Sequence, residues 1–61
     1  MSAREADVLR MVTHARSNKE IARALPLSRN TVANRVRSIL AKTGTANRTE
    51  AAGFARRNGL A

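Results

Sequence analysis

The chain has 61 residues, room for one small domain, and a domain of that size buries only about 60% of its unfolded surface on folding. It has no cysteine, which excludes a disulfide staple or a thiolate metal site and points to a reducing, cytoplasmic setting. Twelve Lys and Arg against four Asp and Glu give a formal net charge of +8, a field that draws phosphate polymers or anionic membranes. No apolar run is long enough to span a bilayer, and Met1 is followed by SAREADV rather than a signal peptide's apolar core. The basic residues are spread along the chain, as on a folded surface rather than a disordered tail.

A first helix is expected over residues 2–14. Ser2 followed by Glu5 is a capping box, and Val8, Leu9 and Val12 form its inward stripe. No glycine ends it, so Ala15 and Arg16 must turn the chain, with His14 near the terminal carbonyls. Ser17 and Glu20 open a second helix over 17–25, with Ile21, Ala22 and Leu25 inward; Pro26 ends it by biasing Leu25 away from helical angles. A third helix over 28–43 starts at Ser28, with Leu27 and Val32 placed for a hydrophobic staple. It carries Val32, Val36, Ile39 and Leu40 inward and stops at Gly44.

The fourth helix, over 47–58, opens on Asn47 and Glu50 and is followed by Gly59. Ala51, Phe54 and Ala55 are expected inside and Thr49, Ala52, Gly53 and Arg56 outside, with Arg56 and Arg57 at its negative end and a phosphate contact their lesser alternative. The fold class is therefore all-α: four amphipathic helices around one core, of modest stability because so many core positions are alanine. Capping accounts for Glu5, Glu20 and Glu50, three of the four acids, so they are read as structural rather than catalytic.

A short helix, a tight connection and a longer helix form the helix-turn-helix arrangement, whose second helix enters the DNA major groove. The segment SRNTVANRVR, residues 28–37, gives that helix a polar side opposite its valines: Asn30, Ala33, Asn34 and Arg37, continuing to Ala41. Asparagine pairs bidentately with adenine and arginine with guanine, each good pair discriminating by about 1–3 kcal/mol. The alanines keep the helix thin enough to sit deep. Arg29, Thr31, Arg35, Ser38 and Lys42 flank the stripe and suit phosphates, as do Asn18 and Lys19 at the start of the second helix. On this reading Lys42→Ala weakens binding to all duplexes alike and flattens the salt dependence by about one phosphate.

The stretch NKEIARALPLSRNTVANRVRSILAKTGTANRTEAA, together with Arg4-Glu5 and Val8-Leu9, resembles the LuxR-type (GerE-like) DNA-binding domain of bacterial transcription regulators. The matching positions run from Arg4 through Ser17 to Ala22, Leu25, Ser28, Thr31-Val32, Val36, Ile39-Leu40, Lys42 and Gly44 to Asn47–Thr49, nearly the whole chain. The resemblance implies a four-helix domain that binds double-stranded DNA as a dimer on a pseudo-palindrome. The third helix lies in the groove, and the fourth, through Thr49, Ala52, Gly53 and Arg56, supplies the dimer contact. So small a surface leaves the isolated domain largely monomeric without DNA.

It further implies that residues 1–61 are a single domain excised from the C-terminus of a longer regulator, and it leaves RNA polymerase open as a further partner. Several positions depart from the family pattern. Ala33 and Arg35 stand where the family often has Lys and His, Ala15 where it usually has Gly, and Thr43 and Thr45 in an otherwise apolar join, so a softer domain is expected.

Catalysis is not expected: His14 is the only histidine, with no paired carboxylates to spare and no glycine-rich phosphate loop, so neither cofactor nor metal is implied. A sigma-factor-like promoter-binding domain shares the helix order, although the Asn-Arg-Thr start of the fourth helix favours the LuxR type. A protein-docking domain with only non-specific DNA affinity is the other alternative. A cationic membrane-surface module is disfavoured, since Phe54 is the one aromatic anchor.

Overall fold

The computed structural model describes residues 2–59. They form four helices, α1 (Ala3–Thr13), α2 (Asn18–Ala24), α3 (Arg29–Thr43) and α4 (Arg48–Arg57), with no strand among the described residues. The expected spans were longer by a residue at most ends because they counted the caps, whose backbone angles are not helical: Ser2, Ser17, Ser28 and Asn47 are extended, and His14, Leu25 and Asn58 close their helices.

The caps account for orphan N–H groups that would otherwise weaken each helix start. The Glu5 N–H donates to the Ser2 hydroxyl at 3.2 Å and the Ser2 N–H donates to the Glu5 carboxylate at 3.1 Å. Ser17 and Glu20 repeat the exchange at 3.2 and 2.9 Å. At α3 the Thr31 N–H donates to the Ser28 hydroxyl at 3.0 Å. The fourth start is offset: the Glu50 N–H donates to Asn47 Oδ1 at 2.9 Å, but the Glu50 carboxylate accepts from the Ala46 N–H at 2.8 Å, one residue before the cap.

The turn from α1 to α2 closes as a Schellman motif, with Ala15 N–H donating to the Val12 carbonyl and Arg16 N–H to the Met11 carbonyl. Its left-handed position is held by Ala15 at φ 59°, where glycine is the usual occupant. Gly44 occupies the corresponding position after α3 at φ 66°. The Thr43 hydroxyl donates to the Ile39 carbonyl at 2.7 Å and lies 2.9 Å from the Thr45 hydroxyl. The polar join between α3 and α4 is therefore internally bonded.

One core lies at the centre, built from Val8, Leu9 and Val12 of α1, Ile21 of α2, Val32, Val36 and Ile39 of α3, and Ala51 and Ala55 of α4. Leu25, Leu27 and Leu40 pack on its edge. The face of α4 differs from the expected one: Ala52 is buried, at 7% exposure, whereas Phe54 is only half-buried and lies outside the core cluster. Three alanines on one side let α4 lie close along α1, its main packing partner, and a phenylalanine ring in that line would hold the helices apart. Arg56 is also redirected: its Nη2 donates to the Thr13 carbonyl at 3.2 Å, completing the C-terminus of α1 instead of its own helix. Asn58 Nδ2 covers the Phe54 carbonyl at the end of α4, and His14 is exposed.

Candidate nucleic-acid interface

Val32, Val36 and Ile39, at 0, 8 and 1% exposure, fix one side of α3 in the core. Helical geometry then turns the opposite side to solvent. Asn30, Asn34, Arg37 and Ala41 are exposed there and Ala33 is half-buried, so the stripe read from the sequence lies along one accessible ridge. Arg29 and Arg35 are exposed beside it, as is Lys19 near the start of α2, the helix packed across α3. Among the described residues, none of Lys19, Arg29, Asn30, Asn34, Arg35 and Arg37 has a side-chain hydrogen bond or ion pair, and α3 contains no acidic residue. Its polar ridge carries a field of one sign.

The other flanking residues are already engaged. The Thr31 and Ser28 hydroxyls are 2.8 Å apart. Ser38 Oγ donates to Glu5 Oε2 at 2.9 Å, and Lys42 Nζ donates to both Glu5 oxygens at 2.8 and 2.9 Å. Glu5 has a side chain only 4% exposed, so its carboxylate joins the capping box of α1 to the C-terminal half of α3. The Lys42 ammonium, then the Ser2 N–H and the Ser38 hydroxyl, hold its pKa down at about 2. The Glu20 carboxylate is lowered too, chiefly by the Ser17 N–H.

Asn18 is tied as well: its Oδ1 accepts from Arg48 Nη1, while Arg48 Nη2 donates to the Arg16 carbonyl at 2.6 Å. Glu5 and Arg48 thus make long-range links that local signals in the sequence do not announce. Capping alone explains Glu5, and nothing in the spacing joins it to Lys42, 37 positions away. Among the described residues no His, Cys, Asp and Glu cluster could hold a metal ion, and no helix is long and apolar enough to cross a membrane.

The family model of bacterial regulatory proteins of the luxR family (GerE) matches residues 1–55. A transcriptional regulatory protein of Bacillus subtilis (strain 168), YhcZ, is 49% identical over 55 residues, which cover 90% of this chain and 26% of that protein. The monoamine regulon transcriptional regulator of Klebsiella aerogenes is 46% identical over 50 residues, 82% of this chain and 22% of that protein. The transcriptional regulatory protein LiaR of Bacillus subtilis (strain 168) is 35% identical over 60 residues, 98% of this chain and 28% of that protein. The chain therefore spans roughly a quarter of the length of the curated relatives it matches. With four capped helices and a family match over nearly its whole length, this chain belongs to the LuxR family as a helix-turn-helix DNA-binding domain of bacterial transcription regulators.

Proposed function

We propose that α3 reads base edges in the major groove of double-stranded DNA through Asn30, Ala33, Asn34 and Arg37. The observation that carries this reading is the set of amide and guanidinium groups on that ridge with no partner among the described residues, on a helix whose other side is fixed in the core. The helix backbone places these groups, and with no intramolecular bond to give up they can meet base edges directly, each contact offsetting the ordering of its own side chain. Lys19, Arg29 and Arg35 anchor phosphates, which set register without reading sequence. Thr31, Ser38, Lys42 and Asn18, expected at phosphates from the sequence, each already have an internal partner, and Lys42 is paired with the Glu5 carboxylate, so they are assigned to positioning the helices rather than to the phosphates.

A dimer through α4 fits a surface shifted from the expected one. Glu50, Gly53, Phe54 and Arg57 have the spacing of one helix side, are exposed or half-buried, and border a cleft of about 550 Å³ beside the α3–α4 turn. Thr49 and Gly53 remain on or near this side, while Ala52 and Arg56 face α1. An antiparallel crossing of two copies would set Phe54 against Phe54 and Glu50 against Arg57. The area is small, so DNA holds the pair together, with a pseudo-palindromic operator as its template. The relatives carry the names of transcription regulators, and the longer protein is proposed to act as one on nucleoid DNA.

Selection of binding sites from random duplexes by the wild type and by Arg37→Ala tests base reading. The variant is expected to relax preference at one base-pair position by about 1–3 kcal/mol while keeping the others. An equal loss of affinity for every sequence would remove Arg37 from base recognition.

A further inference from the structure

A second basic feature lies away from the α3 ridge. Between the C-terminal turn of α1 and the side of α4 that faces it is a cleft of about 480 Å³, into which Arg16, Arg48 and Arg56 open and whose lining contains no acidic residue. Its floor is apolar, formed by the buried Val12 and Ala52. Two of the three guanidinium groups are held by bonds to the backbone: Arg48 donates to the Arg16 carbonyl and Arg56 to the Thr13 carbonyl. A guanidinium has five N–H donors, so these tethers fix each group while leaving donors for a ligand. Arg16 has a loose exposed pair with Glu20 at 3.7 Å, a contact that contributes little in water.

We propose that this cleft is a second phosphate seat, in which Arg16, Arg48 and Arg56 receive a backbone phosphate of the duplex whose bases α3 reads. The proposal rests on the DNA-binding reading above. What selects a DNA phosphate over another anion is continuity. The cleft reaches Ser17, the cap of α2, and Arg48 is bonded to the Asn18 side chain, next to Lys19 on the flank already assigned to phosphates. One phosphate bound here would tie the α1–α2 turn to α4 and reinforce the link that Arg48 already makes to Asn18.

The test is the salt dependence of affinity for a random-sequence duplex, measured for the wild type, Arg16→Gln and the Arg16→Gln/Arg56→Gln double variant, each checked for folding by thermal melt. The double variant is expected to lose about 0.9 from the slope of log affinity against log salt, the amount for one phosphate, and to weaken alike on all sequences. Arg16→Gln alone, whose side chain supports nothing in the fold beyond an exposed ion pair, should shift the slope in the same direction, which decides the matter if the double variant does not fold. Unchanged slopes in both, with Arg37→Ala still relaxing base preference, would overturn the seat and leave the DNA reading standing. A wild type without salt-dependent binding would overturn both. In a parallel amide NMR titration with inorganic phosphate, shifts at the cleft accompanied by unchanged slopes would make it a free-anion site and also overturn the proposal.

Discussion

Thr31, Ser38 and Lys42 share α3 with Asn30, Asn34 and Arg37, yet the first three are bonded to other residues of the chain and the second three are not. All six are polar, and by composition they are interchangeable. Position separates them: Ser38 and Lys42 lie where α3 passes Glu5 of α1, and Thr31 sits within reach of the Ser28 cap. A basic or hydroxylic residue on a DNA-binding helix is thus not automatically a DNA contact. Under the proposed reading, the internally bonded groups fix the angle at which the helix is presented, and the unbonded groups are the ones left to meet base edges.

The sharpest way to break this division is to perturb the core side of the same helix. Ile39→Ala, at a position 1% exposed, is expected to cost about 2–5 kcal/mol, most of what so small a domain has. A circular-dichroism melt should show folding and DNA binding lost together. Arg37→Ala should do the opposite, with an unchanged melt and a loss of about 1–3 kcal/mol confined to discrimination at one base pair. Were Arg37→Ala to lower the melting temperature as well, the ridge would be part of the fold's own support.

Lys42 and Glu5 sharpen the comparison through pH and salt. The Glu5 carboxyl is held at about 2 against an ordinary 4.5, so its contribution to stability is complete above pH 4.5 and is lost as pH falls towards 2. Melts across that window should show a decline that Glu5→Gln flattens. Lys42→Ala is expected to lower the melting temperature and leave the salt slope of DNA binding nearly unchanged, since its charge is already paired. A fall of about 0.9 in slope with an unchanged melt would return Lys42 to the phosphate contacts.

The smallest effect concerns Ala15, the non-glycine residue held at positive φ. Ala15→Gly removes the strain of the left-handed position but loosens the unfolded chain. The balance is expected to stabilise by roughly 0.5–1 kcal/mol, read as a raised melting temperature with DNA affinity unaltered.

Local chemistry made much of the fold legible in the sequence. Ser2, Ser17, Ser28 and Asn47 mark helix starts because each satisfies N–H groups within three residues of itself, and Pro26 and Gly44 act on their own backbone. The ridge was legible for the same reason: one helix with valines at helical spacing defines its own opposite side. What stayed hidden depends on distant partners. Glu5 meets Lys42, Arg48 meets Asn18, and Arg56 meets Thr13, across 37, 30 and 43 positions. The side of α4 was misjudged because hydrophobicity favours Phe54 for the core, whereas close approach to α1 favours Ala52.

The most direct test of the central claim is an amide NMR titration of the chain with a random-sequence duplex at two salt concentrations. Shifts concentrated on residues 28–42 and the start of α2, weaker at the higher salt, are the predicted result. Shifts absent, or centred on α4 alone, would contradict the assignment of α3 as the element that meets DNA.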